Sequence, residues 1–475
     1  MKEAAWSSPE GAAWWLGGAT AASGLVAMAV ILPSPLWTLA LPAALLAGLV
    51  IWKLRHPLLA PVAIVFGMLA LLGNTPSVTP QEIGYSLALV SYLGWFYATR
   101  LLVLGGLRIE TVLDKAVAMV VVTILLGFVP TLVFRGDMAL TLNALVGSSV
   151  LALYFPFREA CIRHPKGLTV LLVAFLVLCT IVAINNLLQY RTLLTMYVMP
   201  EFVAGRRVTT NDIYFTSGFA LSTALLARSE NRRVQVVLVV QMALFIGALI
   251  ATQARSQWVA CLVIFGLVFL AGRRYGRVRL AGYLGGVVAL GAVLLPLVLG
   301  SKTLVLLWGM ARRFNSIRTA SRQDISLLSR FVEAKAAFAQ VLENPILGHG
   351  HGVTYPHYDI INQVVMHTSY VHVGYVGLFY TYGLLGGLAV FTAWWSALWR
   401  GALLAHIAPN RQEGAIGLGA AAFLASLFLS MLATDPFVMT DGLFVFAMLA
   451  ALLAGSQARL NGQVVWHLPR APSVP

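Results

Sequence analysis

Residues 168–189 read LTVLLVAFLVLCTIVAINNLLQ, 22 positions without a charge. A helix rising 1.5 Å per residue needs roughly 17–25 apolar residues to cross about 30 Å of hydrocarbon. Working outward, comparable runs lie near 12–32, 35–52, 57–73, 83–99, 116–134, 138–155, 210–227, 234–253, 256–272, 280–299, 370–397, 414–433 and 437–455. Several are short or closely spaced, and 35–52 with 57–73 also fits a re-entrant pair. The sequence therefore reads as an all-α, polytopic helical integral membrane protein with about 12–14 transmembrane helices.

Composition agrees. Of 475 residues, 59% are hydrophobic and 10% charged, against about 45–50% and 25% in soluble domains. Mean hydropathy is +0.84. These values exclude a soluble enzyme with a tail anchor and a disordered scaffold. They also exclude an outer-membrane barrel, whose alternating strands give a weak hydropathy signal. The net charge of +15 does not indicate nucleic acid, because the Lys and Arg fall mostly in short gaps between apolar runs. Cys161, Cys179 and Cys261 are isolated and form neither a disulfide framework nor a metal knuckle. At the N-terminus, Glu3 and Glu10 follow Lys2 and precede a run too long for a cleavable signal core.

Charge also predicts orientation. With the N-terminus cytoplasmic, inside positions carry 20 Lys and Arg, among them Arg108, Lys115, Arg158, Arg163 and Arg274. The short outside loops carry five: Arg135, Arg191, Arg206, Arg207 and Arg255. Such asymmetry across short loops sets topology and leaves both termini cytoplasmic. The expected organisation is a bundle over 1–299, a periplasmic loop domain over 300–369, C-terminal spans over 370–455 and a cytoplasmic tail over 456–475.

The loop 300–369 is the one long polar segment. Asp324 suits the cap of a helix running to Glu343 and ended by Asn344-Pro345. Apolar Leu328, Phe331, Val332, Phe338 and Leu342 recur at helical spacing, with Arg330 and Glu333 on another part of the surface. Before it, Arg312, Arg313, Arg318 and Arg322 are interleaved with Trp308, Phe314 and Ile317, a pattern suited to anionic head groups and membrane lipids.

The outward arginines carry the chemical signal. Arg255 interrupts an apolar stretch at Thr252-Gln253-Ala254-Arg255-Ser256-Gln257. It fits a hinge between two spans, or a planar fork for phosphate or carboxylate, which Arg suits better than Lys. Arg191, Arg206, Arg207 and Arg255 outnumber nearby Glu201 and Asp212, which favours an anionic ligand. Five histidines fall between 349 and 372, but none has a metal-ligand spacing. His349, His351 and His357 read as loop residues hydrogen-bonded to backbone. His367, in His367-Thr368-Ser369-Tyr370-Val371-His372, fits an interfacial belt or a base accepting a sugar hydroxyl proton. The run Gly348-His349-Gly350-His351-Gly352 suits a phosphate cradle of backbone N–H groups.

Together these segments resemble the O-antigen ligase and polymerase superfamily of bacterial inner-membrane glycosyltransferases, by motif over roughly 200–455 and by layout throughout. The resemblance rests on Arg255-Ser256, on Ser329-Arg330, and on Glu343-Asn344-Pro345-Ile346-Leu347-Gly348-His349-Gly350. It extends to His367-Thr368-Ser369-Tyr370 and Gly383-Leu384-Leu385-Gly386. Thr368 stands where the family more often has an amide or Ser. The gap from His367 to Gly383 is longer than usual, which leaves His372 as the alternative to His367.

The resemblance implies a GT-C-like fold and transfer of a glycan from undecaprenyl pyrophosphate to lipid A–core on the periplasmic side. It implies His367 as general base, with Arg255, Arg330, Arg206, Arg207 and Arg191 holding pyrophosphate. Arg312, Arg313, Arg318 and Arg322 would face the acceptor or lipid head groups. Anomeric attack opposite the leaving group implies inversion. With arginines at the pyrophosphate and no Asp-x-Asp pair outside, no metal or cofactor is expected. A polymerase shares the donor and mechanism. A lipid-linked oligosaccharide flippase is the non-enzymatic alternative, disfavoured by positive charges outside the bundle interior.

Overall fold

The computed structural model describes residues 58–71, 79–196, 211–272, 274–300, 302–304, 307–309, 311, 325–408 and 411–461. Twelve of the fourteen expected segments fall on helices; those at 12–32 and 35–52 lie outside the described residues. The helices are α1 (Leu59–Gly67), α2 (Pro80–Ala98), α3 (Val112–Leu126), α4 (Phe128–Val133), α5 (Met138–Ser148), α6 (Tyr154–Arg163) and α7 (Gly167–Met196). Then come α8 (Asp212–Arg228), α9 (Arg232–Thr252), α10 (Arg255–Ala271), α11 (Arg274–Leu299) and α12 (Ile325–Glu343). After a hairpin of β1 (Tyr355–Asp359) and β2 (Val364–Thr368), the chain ends in α13 (Gly374–Ile407), α14 (Gln412–Ser430) and α15 (Thr440–Leu460).

Local chemistry starts these helices. Thr79 and Glu82 form a capping box around Pro80 at the head of α2, and Thr111 with Asp114 does the same for α3. Among the described residues, eight helices are long and apolar enough to cross a membrane. Leu59–Leu71 and Arg255–Ala271 are shorter apolar helices. The chain is a polytopic helical membrane protein.

Helix α15 is apolar on all sides and buried along nearly its whole length, as a central helix must be. It packs on α6 and α14, while α8 packs on α9, α10 and α14. Exposed Leu125, Val237, Leu262 and Val288 give the outer helices the apolar surface that lipid requires. Helices α13 and α14 meet at Gly401 and Gly417. A Cβ on Gly401 would stand 2.8 Å from the Gly417 carbonyl oxygen, so only glycine permits this close crossing.

The long loop contains more than the expected helix. Helix α12 ends at Asn344-Pro345 as the sequence predicts, but an antiparallel hairpin follows, pairing Tyr355 with Thr368 and Pro356 with His367. The apolar stripe of α12 points outward: Leu328, Phe331, Phe338 and Leu342 are exposed. Its small face, Ala337 and Val341, instead packs with Tyr355, Val371 and Tyr380. An outward apolar stripe suits the bilayer interface. Asp324 and the basic positions Arg312, Arg313, Arg318 and Arg322 lie outside the described residues. The next span begins at Gly374, not at 370, and the last runs to Leu460, beyond 455.

Candidate functional site

The glycine motifs of the loop and of α13 form one structure. Helix α13 breaks at Gly383, where φ is +62°. The break frees carbonyls and N–H groups that a membrane protein must satisfy internally. The loop does this: the N–H groups of His349 and Gly350 donate to the carbonyls of Tyr380 and Thr381 at 2.8 and 3.0 Å. In return, the N–H groups of Leu384 and Leu385 donate to the carbonyls of Pro345 and Ile346 at 2.7 and 3.3 Å. Gly348, at φ +70°, fits against the break, where a Cβ would lie 2.5 Å from the Gly383 nitrogen. This corrects the phosphate-cradle reading, because the N–H groups of Gly348, His349 and Gly350 are all committed to protein carbonyls.

The histidines of this run pack as rings. His349 stacks on Tyr380 with centroids 5.1 Å apart, and His351 meets Tyr382 edge-on at 5.4 Å. Both are buried, with Nδ1 of His349 and Nε2 of His351 lacking hydrogen-bond partners among the described residues. Nδ1 of His357 is likewise unpartnered, so these atoms do not make the expected backbone bonds. Burial lowers the pKa of His349 despite the opposing charge of Glu343, and lowers that of His351 to about 4.

His367 sits on β2 opposite Pro356, exposed. His372 sits just before α13, and its Nδ1 lies 2.8 Å from Oε2 of Glu333 on α12. The Glu333 side chain is 6% exposed and that of His372 is 48% exposed. A carboxylate only accepts, so this bond puts the proton on Nδ1 and leaves the Nε2 lone pair available. Arg330 stands one turn before Glu333 on the same helix, half-buried. Tyr355 packs beside them; burial, with Glu333 next to it, raises the pKa of its phenol.

The α14–α15 connection completes the site. The backbone N–H of Asp435 donates to the Tyr370 hydroxyl at 3.3 Å, and Tyr370 packs edge-on against His372. Asp435 is buried, its Oδ1 without a hydrogen-bond partner among the described residues, and burial raises its carboxyl pKa against backbone bonds from Phe437 and Val438 that lower it. The sequence reading did not single out Asp435, and it placed Glu333 on the helix surface without a role, whereas Glu333 is buried. The available signals were a lone acid beside Pro436 between two spans, and an acid one turn from Arg330.

The arginines divide. Arg255 begins α10 and is half-buried, after a turn in which Gln253 takes φ 56°. That is the hinge geometry, and α10 packs mainly on α8 and α14. Arg191 is exposed near the end of α7, while Arg206 and Arg207 lie outside the described residues. The structure thus pairs His372 with Glu333 on the helix that also carries Arg330, with Arg255 on a separate helix turn. Among the described residues, no three His, Cys, Asp or Glu converge as metal ligands would.

Fold and site define a polytopic helical membrane protein with a small folded loop over the start of one span. Residues 240–391, which hold Arg255, Arg330, Glu333, both His367 and His372, and Gly383, match the family model described as O-Antigen ligase. That match supports a member of the O-antigen ligase/polymerase superfamily. No curated protein matches the chain.

Proposed function

We propose that the chain is an O-antigen ligase of the bacterial inner membrane, with both termini cytoplasmic and α12, the hairpin and His372 facing the periplasm. It transfers glycan from undecaprenyl pyrophosphate to a sugar of lipid A–core. The observation that carries the residue assignment is the His372–Glu333 pair on the helix that holds Arg330.

In this reading His372 replaces His367 as the base. Glu333 orients the imidazole, and Nε2 takes the proton of the acceptor hydroxyl as its oxygen attacks the anomeric carbon. The bond from that carbon to the pyrophosphate oxygen breaks with inversion, and the pyrophosphate departs with the electron pair. Arg330 and Arg255, with Arg191, Arg206 and Arg207, stabilise the charge on the leaving group, and no metal is required. Arg312, Arg313, Arg318 and Arg322 receive the phosphorylated acceptor and membrane lipids.

Purified protein mixed with undecaprenyl-pyrophosphate-linked O-antigen and lipid A–core, in EDTA and without ATP, tests this by gel. Glycan appearing on lipid A–core supports the ligase. Lengthening on undecaprenyl alone makes the protein a polymerase. No transfer with folded protein and verified substrates defeats the enzyme reading, and activity that returns only with Mg²⁺ or Mn²⁺ defeats metal independence.

A further inference from the structure

The far end of the bundle holds a second charged site. Arg400 lies 17 residues beyond the Gly383 break in α13, about 26 Å at helical rise, close to the hydrocarbon thickness. There a cavity of about 460 Å³ opens between the ends of α2, α6, α13 and α15. Five arginines line it: Arg100, Arg108, Arg158, Arg163 and Arg400.

The acids do not balance them. Glu159 serves both Arg100 and Arg163, the latter at 2.9 Å. Arg158 faces Glu110 at 3.4 Å and the fully buried Asp114 at 3.2 Å. Among the described residues, Arg108 and Arg400 have no carboxylate at ion-pair distance. Oε1 of Gln457, also in the wall, is buried without a hydrogen-bond partner there. Two guanidinium groups without a carboxylate at ion-pair distance, beside an unused acceptor, call for an anion that also carries a hydroxyl or other donor.

The surroundings indicate how the ligand arrives. Arg100 is carried on a single π turn, Thr99–Val103, a local irregularity frequent at functional sites. Leu101, Leu102, Leu104 and Val112 beside the mouth are exposed, an apolar surface of the kind acyl chains cover. Phe96, Leu107 and Ile162 add apolar wall to the cavity itself.

We propose that this cavity binds a phosphate group, carried by an anionic phospholipid whose chains lie along the π turn. The site is separate from the His372 site, and its test does not depend on the proposed reaction.

Full-length protein purified in detergent is titrated with phosphatidylglycerol, phosphatidylcholine or inorganic phosphate. Retention is read by native mass spectrometry and binding by thermal shift. The expected result is one phosphatidylglycerol held in preference to phosphatidylcholine. The double variant Arg108→Gln/Arg400→Gln should weaken it roughly 30-fold, and either single variant about fivefold. Arg108 is exposed and has no carboxylate at ion-pair distance among the described residues, so Arg108→Gln alone keeps the test decisive if the double variant does not purify. Inorganic phosphate that stabilises equally, with the same dependence on both arginines, makes the ligand a soluble phosphate and keeps the site. Equal retention of both lipids, or variants that bind as the wild type does, overturns it.

Discussion

Nδ1 of His372 stands 2.8 Å from Oε2 of Glu333, although 39 residues separate them in the chain. One partner is buried on α12 and the other half-open at the start of α13, so the carboxylate is anchored while the ring meets solvent. This is how a carboxylate fixes a histidine tautomer and leaves the opposite nitrogen free to take a proton.

Glu333→Gln keeps the size of the side chain and removes the anion. In folded protein we expect the turnover number to fall on the order of 10²-fold with KM little changed. Glu333→Asp should recover part of the loss. Steady-state kinetics checks this, and a rise in KM alone would point to acceptor binding instead.

Arg330→Ala and Arg255→Ala test the pyrophosphate clamp. Each should lower turnover by about 10²–10³-fold, the effect of losing a donor aimed at developing charge. Because Arg255 occupies a hinge on another helix, near-normal turnover in its variant would reduce the clamp to Arg330 and the remaining arginines.

The spans were legible because a run such as 168–189 has little alternative to lipid or a helical core, and it became α7. The hairpin was not. Tyr355–Asp359 and Val364–Thr368 lack a glycine turn, and register comes from Asp359, whose Oδ1 accepts from the Ile361 N–H at 2.8 Å. The glycines at 348 and 383 were visible as motifs. Their partners were not, since glycine spacing reports conformational freedom and not which carbonyl a freed N–H will find. The residue types of the proposed site stood in the sequence, but the preference for His372 over His367 proposed above rests on Glu333, which only tertiary packing brings near.

Gly348→Ala and Gly383→Ala should each destabilise the protein by at least about 2 kcal/mol, from left-handed backbone and lost splice bonds. Thermal melts in detergent read this as a lower melting temperature. A wild-type melting temperature would mean the loop does not hold the broken helix together.

His351 makes stability depend on pH. Its pKa is lowered to about 4 in the folded protein, against about 6.5 unfolded, so the unfolded chain binds more protons between those values. Its contribution is full above pH 6.5 and is lost as pH falls toward 4, up to about 3 kcal/mol. His351→Gln should flatten melting temperature across that window. An unchanged slope would show that the ring is already protonated or solvated in the fold.

The most direct test compares His372→Ala with His367→Ala in the purified transfer assay, each verified as folded. The account predicts a loss of about 10²–10⁴-fold for His372→Ala, the range for a general base, and near-normal transfer for His367→Ala. The reverse pattern, with transfer surviving loss of His372 and failing without His367, would contradict it.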